Sequence, residues 1–153
     1  MLVEMSRNNL CSFGTNNIVK VVHTQTALTG YGIKLPSGLV MRYDDLQYEQ
    51  GQRGVEFSYM TRRGRTRIYG GKVTENVCQA IARCIMGEQM LAIAKRYKPV
   101  LTVHDSVVCC VPDYELDEAR QYIEECMSTT PSWAEGMPIT CESGIGKSYG
   151  DCE

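Results

Sequence analysis

His104-Asp105-Ser106 stands between two apolar runs, Val100-Leu101 with Val103 on one side and Val107 to Val111 on the other. No Gly or Pro eases the turn, so a carboxylate is placed where the flanking pattern asks for core. Two buried strands joined by a tight turn would hold Asp105 at the edge of a sheet, on a rigid platform. A rigid strand end suits a ligand for a hard cation such as Mg²⁺, whose geometry is demanding. His104 is placed to donate a hydrogen bond beside it. The plainer reading is an ordinary β-turn, because Asp and Ser are common turn residues. This stretch alone leaves both open.

The elements that must position this turn are legible on either side. Val73, Val77, Ile81, Cys84, Ile85 and Leu91 recur at helical spacings and predict a helix over 74–97 that stops near Pro99. Its opposite stripe, Glu75, Gln79 and Arg83, is either a solvated face with i,i+4 pairs or a binding one. Asp113 is placed to cap a second helix that carries Leu116, Ala119, Ile123 and Met127 on one face. Upstream, turn signals at Pro36-Ser37-Gly38, Gly51 to Gly54 and Arg63-Gly64 separate β-rich runs at 33–35, 39–43, 55–60 and 66–69. They predict an antiparallel meander of three or four strands. Residues 18–27 read as a short strand or helix, Asn8, Asn9, Gly14, Asn16 and Asn17 as loop, and 138–142 as a strand. Strands, helix, hairpin, helix and strand make an α+β domain.

Composition narrows the classes. The 153 residues suffice for a real core, and 43% hydrophobic with 22% charged is ordinary globular composition. The net charge of -2 gives no support to a dedicated nucleic-acid binder, although a local groove can still be basic. No apolar run approaches the roughly 20 residues of a membrane span, and MLVEMSRNNL has no signal-peptide pattern. The eight cysteines contain no CxxC and meet only two histidines, which argues against structural zinc and for reduced thiols in a cytoplasmic protein. Arg62, Arg63, Arg65 and Arg67 cluster around Gly64, as a DNA-backbone contact or as a solvated hairpin tip. Gly144-Ile145-Gly146-Lys147-Ser148 lacks the first Gly of a P-loop, since Cys141 stands there, and has too few residues after it for the required helix.

At VHDS the chain resembles a family. VHDS between two apolar strands is similar to motif C of the family A, polymerase I-like DNA polymerases. RIYGGKVTENVCQAIARCIM resembles the palm helix that precedes motif C, with Gln79 in register. LPSGLVMRY resembles the LPSGR-type hairpin of the phage branch, and PSWAEGMPITCESGIGKSYGDC resembles that branch's C-terminus. The resemblance covers residues 30–153 in the family's order, as a C-terminal palm portion, and leaves 1–29 unassigned. It implies an antiparallel sheet with the motif C hairpin packed against two main helices.

It also implies chemistry. Family members transfer nucleotides with two Mg²⁺ ions held by two palm aspartates. By resemblance Asp105 is one of those metal ligands, and His104 lies near the primer terminus. Gln79, with Glu75 and Arg83, would line the minor-groove side of the new base pair, where a polar side chain checks geometry without reading sequence. Lys72 would touch phosphate. Arg65 and Arg67 of the basic cluster are, apart from the resemblance, candidate contacts to the DNA backbone. The implied partners are primer-template DNA, deoxynucleoside triphosphates and the polymerase portion carrying motifs A and B, with no membrane. The implied process is DNA replication in the cytoplasm, the host's if the chain is phage-encoded. Ser106 departs from the Glu that many members carry after the Asp.

Half of the implied site is missing. No motif B is present. Asp44-Asp45-Leu46-Gln47-Tyr48-Glu49 has the D..Q.E spacing of motif A, but it follows the LPSG hairpin and lacks an apolar strand before it. The expectation is a palm fragment, inactive alone. Two rivals stand beside it: a non-catalytic nucleic-acid-binding or assembly module with a palm-like fold, and a metal-dependent nuclease using Asp105 with Asp44 and Asp45.

Overall fold

The computed structural model describes residues 1–2, 5, 9–24, 30–51, 54–152. Asn8, residues 25–27 of the 18–27 segment and the 52–53 tip of the Gly51 to Gly54 turn lie outside them. The chain is α+β and divides into two compact units, Met1–Ile81 and Ala82–Glu153.

The first unit is a six-stranded antiparallel sheet in chain order: β1 (Ser12–Phe13), β2 (Val19–Thr24), β3 (Gly30–Lys34), β4 (Val40–Gly51), β5 (Gly54–Thr61) and β6 (Gly64–Ile68). The expected meander is therefore longer than four strands. Val19, Val21 and Ile33 alternate with exposed Lys20 and Lys34, so one face of β2 and β3 is apolar and can join the sheet. That face packs with Tyr43, Ile68, Val73 and Val77 into the core. Each such side chain withdrawn from water contributes about 1.5–3 kcal/mol. The turn after β5 is tight, with Thr61 paired to Gly64, which takes φ 110. This left-handed backbone favours Gly.

Helix α1 runs Gly70–Ile93, four residues earlier at its start than expected. Gly70 and Gly71 occupy its first turn. There the Val73 amide donates to the Tyr69 carbonyl at 3.1 Å, so the two glycines are held by helical bonding. The helix ends at Ile93, where Arg96 N donates to Ile93 O and tightens the chain into turns through Tyr97. Val73 and Val77 are buried in the first unit. In the second unit the buried positions are Cys84, Ile85, Met86, Gln89 and Ile93, and Leu91 is 71% exposed. The stripe extrapolated from Val73 thus fails at Leu91, because the second unit's core faces other positions of the helix.

The second unit continues with β7 (Pro99–Val103), β8 (Ser106–Cys109) and helix α2 (Leu116–Ser128). Its core joins Ile93 and Tyr97 to Ala119 and Cys126, with Val107, Cys109, Ile123 and Met127 packed against them. Asp113 does not cap α2. It opens a 3₁₀ turn, Asp113–Glu115, which feeds the helix without a side-chain cap. Residues 138–142 form no strand. That tail is instead tied to α2, where Arg120 Nε donates to Ser143 Oγ at 2.9 Å and Ser143 Oγ donates to Glu124. Gln89, buried at 5% exposure, donates to the carbonyls of Met127 at 2.6 Å and Thr129 at 3.2 Å and locks α1 to the end of α2. Trp133 is a packing aromatic whose Nε1 donates to Glu88 at 2.6 Å.

Candidate functional site

Asp105 sits where the sequence places it, at the tip of the β7–β8 hairpin. Val103 pairs with Ser106, which leaves His104-Asp105 as a two-residue turn. Such turns need a positive φ that Gly or Asn supplies most easily. Here His104 takes it, at φ 52, so a bulky residue holds a conformation that costs it energy. Both side chains of the turn are exposed. The Asp105 carboxylate has no hydrogen bond or ion pair among the described residues.

The strands behind it are not the buried core the apolar runs suggest. β7 and β8 form a sheet of two strands, with Val100 51% and Leu101 47% exposed. The reason is the strand count: among the described residues no third strand pairs with either edge. Two strands alone bury little, and such a pair is marginal without a layer against it. Val107 and Cys109 pack on the unit's core, and burial pushes the Cys109 thiol up from its ordinary range.

The other expected site residues divide between the units. His104, Asp105 and Arg83 belong to the second, and Lys72, Glu75, Gln79, Arg65 and Arg67 to the first. Glu75, Gln79 and Arg83 are all exposed on α1. Lys72 Nζ lies 2.7 Å from Glu75 Oε1, an i,i+3 pair that draws both charges together at the helix start. Arg83 Nη1 approaches Met86 Sδ at 3.4 Å. Arg65 and Arg67 are already engaged. Arg65 pairs with the Asp45 carboxylate and also donates to the Asp45 carbonyl at 3.1 Å and Ser58 Oγ at 3.3 Å. Arg67 lies 3.3 Å from Glu56.

Asp44 and Asp45 sit at a register shift in β4, and Asp45 takes φ 49 there. This β-bulge turns Asp45 toward Arg65. Asp44 Oδ1 is buried without a hydrogen-bond partner, and its other oxygen is 3.9 Å from Arg42 Nε. Among the described residues no three His, Cys, Asp or Glu side chains gather as a metal-holding group. The GIGKS segment is a loop, followed by a 3₁₀ turn at Tyr149–Asp151 that Ser148 caps. It has none of the helix a phosphate loop requires. Sequence reasoning missed Arg42, which shares a groove with Arg62. The two are 20 residues apart, and only the strand register brings them together.

Comparison with known proteins then bears on this geometry. The chain is 36% identical over 144 residues to a DNA polymerase of Bacillus phage SP02, an alignment covering 86% of this chain and 22% of that polymerase. The chain is related to a DNA polymerase. It spans about a fifth of that relative's length. No family model matches the chain, and no solved structure matches it. No helix among the described residues is long and apolar enough to cross a membrane.

Proposed function

We propose that this chain is the C-terminal palm portion of a family A DNA polymerase and that the β7–β8 turn is its motif C. The observation that carries the reading is the exposed Asp105 carboxylate at the tip of a two-residue hairpin turn, in a chain 36% identical to a phage DNA polymerase. The strained His104 beside it fits a turn kept for function rather than for folding.

A catalytic Mg²⁺ site takes one or two carboxylates together with substrate phosphates and water. Asp105 fits one such ligand, and the described residues do not fit a complete cage. When bound in pairs, Mg²⁺ supplies charge stabilisation at the attacking and leaving oxygens. This chain's own contribution is positional. Asp105 offers a fixed carboxylate, His104 offers a ring donor next to it, and Gln79 and Glu75 offer exposed polar groups along α1 for the minor-groove side of a duplex. Lys72, tethered to Glu75, is the phosphate contact of that helix. Arg65 and Arg67 are assigned to holding the sheet.

The second aspartate, the fingers residues and the layer that would cover Val100 and Leu101 belong to the portion carrying motifs A and B. The substrates of the assembled enzyme are primer-template DNA and deoxynucleoside triphosphates, in DNA replication in the cytoplasm.

Primer extension with Mg²⁺ and all four deoxynucleotides tests this reading. The chain alone should give none. The chain with the polypeptide encoded immediately upstream should extend the primer, and Asp105→Ala should return extension to background with folding intact. Extension by the chain alone would require a second carboxylate within it. Extension that survives Asp105→Ala would remove the motif C assignment.

A further inference from the structure

The outer face of the first unit's sheet carries cations that the polymerase reading does not use. Residues directly paired across strands share a face, as do alternate residues along one strand. Lys20 on β2 pairs with Lys34 on β3, and Arg42 on β4 pairs with Gly32. Their chain neighbours Val19, Val21, Ile33 and Tyr43 are all core residues, so Lys20, Lys34 and Arg42 lie together on the face turned away from it. Lys34 and Arg42 are diagonal neighbours across β3 and β4, a separation of about 7–8 Å. Arg62, at the β5–β6 turn, continues the strip. It lines a groove of 460 Å³ with Arg42, Asp44, Tyr59, Met60 and Thr61.

These four cations are poorly neutralised. Like charges directly opposite one another destabilise a sheet, yet Lys20 faces Lys34. Neither has an ion-pair partner among the described residues, and neither does Arg62. Arg42 reaches only Asp44, at 3.9 Å, and its side chain stays 55% exposed. Arg65 and Arg67, by contrast, are occupied by Asp45 and Glu56. The unspent positive charge of this face is therefore at Lys20, Lys34, Arg42 and Arg62, the last being the one member of the arginine run around Gly64 that joins them.

We propose that this strip of the first unit binds the phosphate backbone of a nucleic acid, without sequence preference, through contacts that do not use Asp105. Phosphate contacts of this kind set affinity through counterion release and read no bases. A regular polyanion crossing β2, β3 and β4 would supply the countercharge that the Lys20–Lys34 pairing lacks.

The test is binding of a fluorescein-labelled oligothymidylate to the full chain, by anisotropy, from 50 to 200 mM salt. Four phosphate contacts predict a loss of about 50-fold in affinity over that range for a single strand. Arg42→Ala with Arg62→Ala should cut this to about 7-fold, and Lys20→Ala with Lys34→Ala should do the same. The lysine pair should also melt at a higher temperature, because the like-charge contact is gone, and this shows that lost binding is not lost folding. Absence of binding by the wild-type chain at 50 mM salt overturns the proposal, as does an unchanged salt slope in either double variant. Capture of polyglutamate without capture of the oligonucleotide overturns it in favour of an acidic protein partner. Extension and its dependence on Asp105 are scored separately, so the strip and the motif C reading can fail independently.

Discussion

Replacing His104 should move stability and activity in opposite directions. The residue holds φ 52 in a two-residue turn. A left-handed backbone costs an L-residue roughly 1–2 kcal/mol, and Gly is free of that cost. Gly also widens the unfolded ensemble, which takes back about 0.5–1 kcal/mol. The exposed imidazole has no hydrogen bond to lose among the described residues. His104→Gly should then stabilise the chain by about 0.5–1 kcal/mol. At this chain length that is a rise in Tm of about 1–4 °C. His104→Ala removes the ring but keeps the strained backbone, so its Tm should match or fall below wild type. Calorimetry on the three proteins gives the order, with Gly highest. In the two-part primer-extension assay the same His104→Gly protein should be slower than wild type, since the ring donor beside Asp105 is gone. A Gly variant that melts below wild type would refute the strain argument, because the side chain would then be holding the turn together.

Two further outcomes concern the frame that carries the hairpin. Gln89→Ala leaves the carbonyls of Met127 and Thr129 without their buried donor. It should cost about 2 kcal/mol, a fall in Tm of about 4–8 °C that calorimetry would record. Hydrogen bonds from Ser143 and then Arg120 hold the Glu124 carboxyl below its usual range. A lowered folded-state pKa means the charged form is the one bound. Its contribution is therefore present above the ordinary carboxylate pKa and is lost as pH falls through the lowered one. The gap in Tm between wild type and Glu124→Gln should be constant near neutrality and close in acid, and a gap that widens in acid would reverse the assignment.

The parts of the fold that were legible are those in which local spacing and burial coincide. Val73 and Val77 repeat at helical spacing and are buried, and the Arg63-Gly64 signal falls in a real β-turn between β5 and β6. What failed depends on packing that no local window contains. Leu91 continues the spacing of Val73 but is exposed, because α1 serves a different core in each unit. Asp113 had the right chemistry for a cap, yet a 3₁₀ turn intervenes. Within the arginine run around Gly64, the strand register sets Asp45 against Arg65 and Glu56 against Arg67, pairings that the local sequence does not contain.

The hairpin is the most informative mismatch. Its apolar alternation asks for a buried strand pair, while Val100 and Leu101 stand about half exposed. Exposing branched apolar side chains on a two-stranded sheet forgoes the burial that would make it stable. A sequence retains such a pattern when something covers it. The alignment covers 22% of the phage relative, and that relative's remaining length is several times the matched stretch. On the proposed reading, the same strands that lift Asp105 to the surface present an edge and an apolar face to the portion bearing the second aspartate. Burial of Val100 and Leu101 and completion of the metal site would then be one event. Hydrogen exchange on β7 and β8 should therefore slow when the upstream polypeptide is added, and it should do so in Asp105→Ala as well, since assembly precedes chemistry.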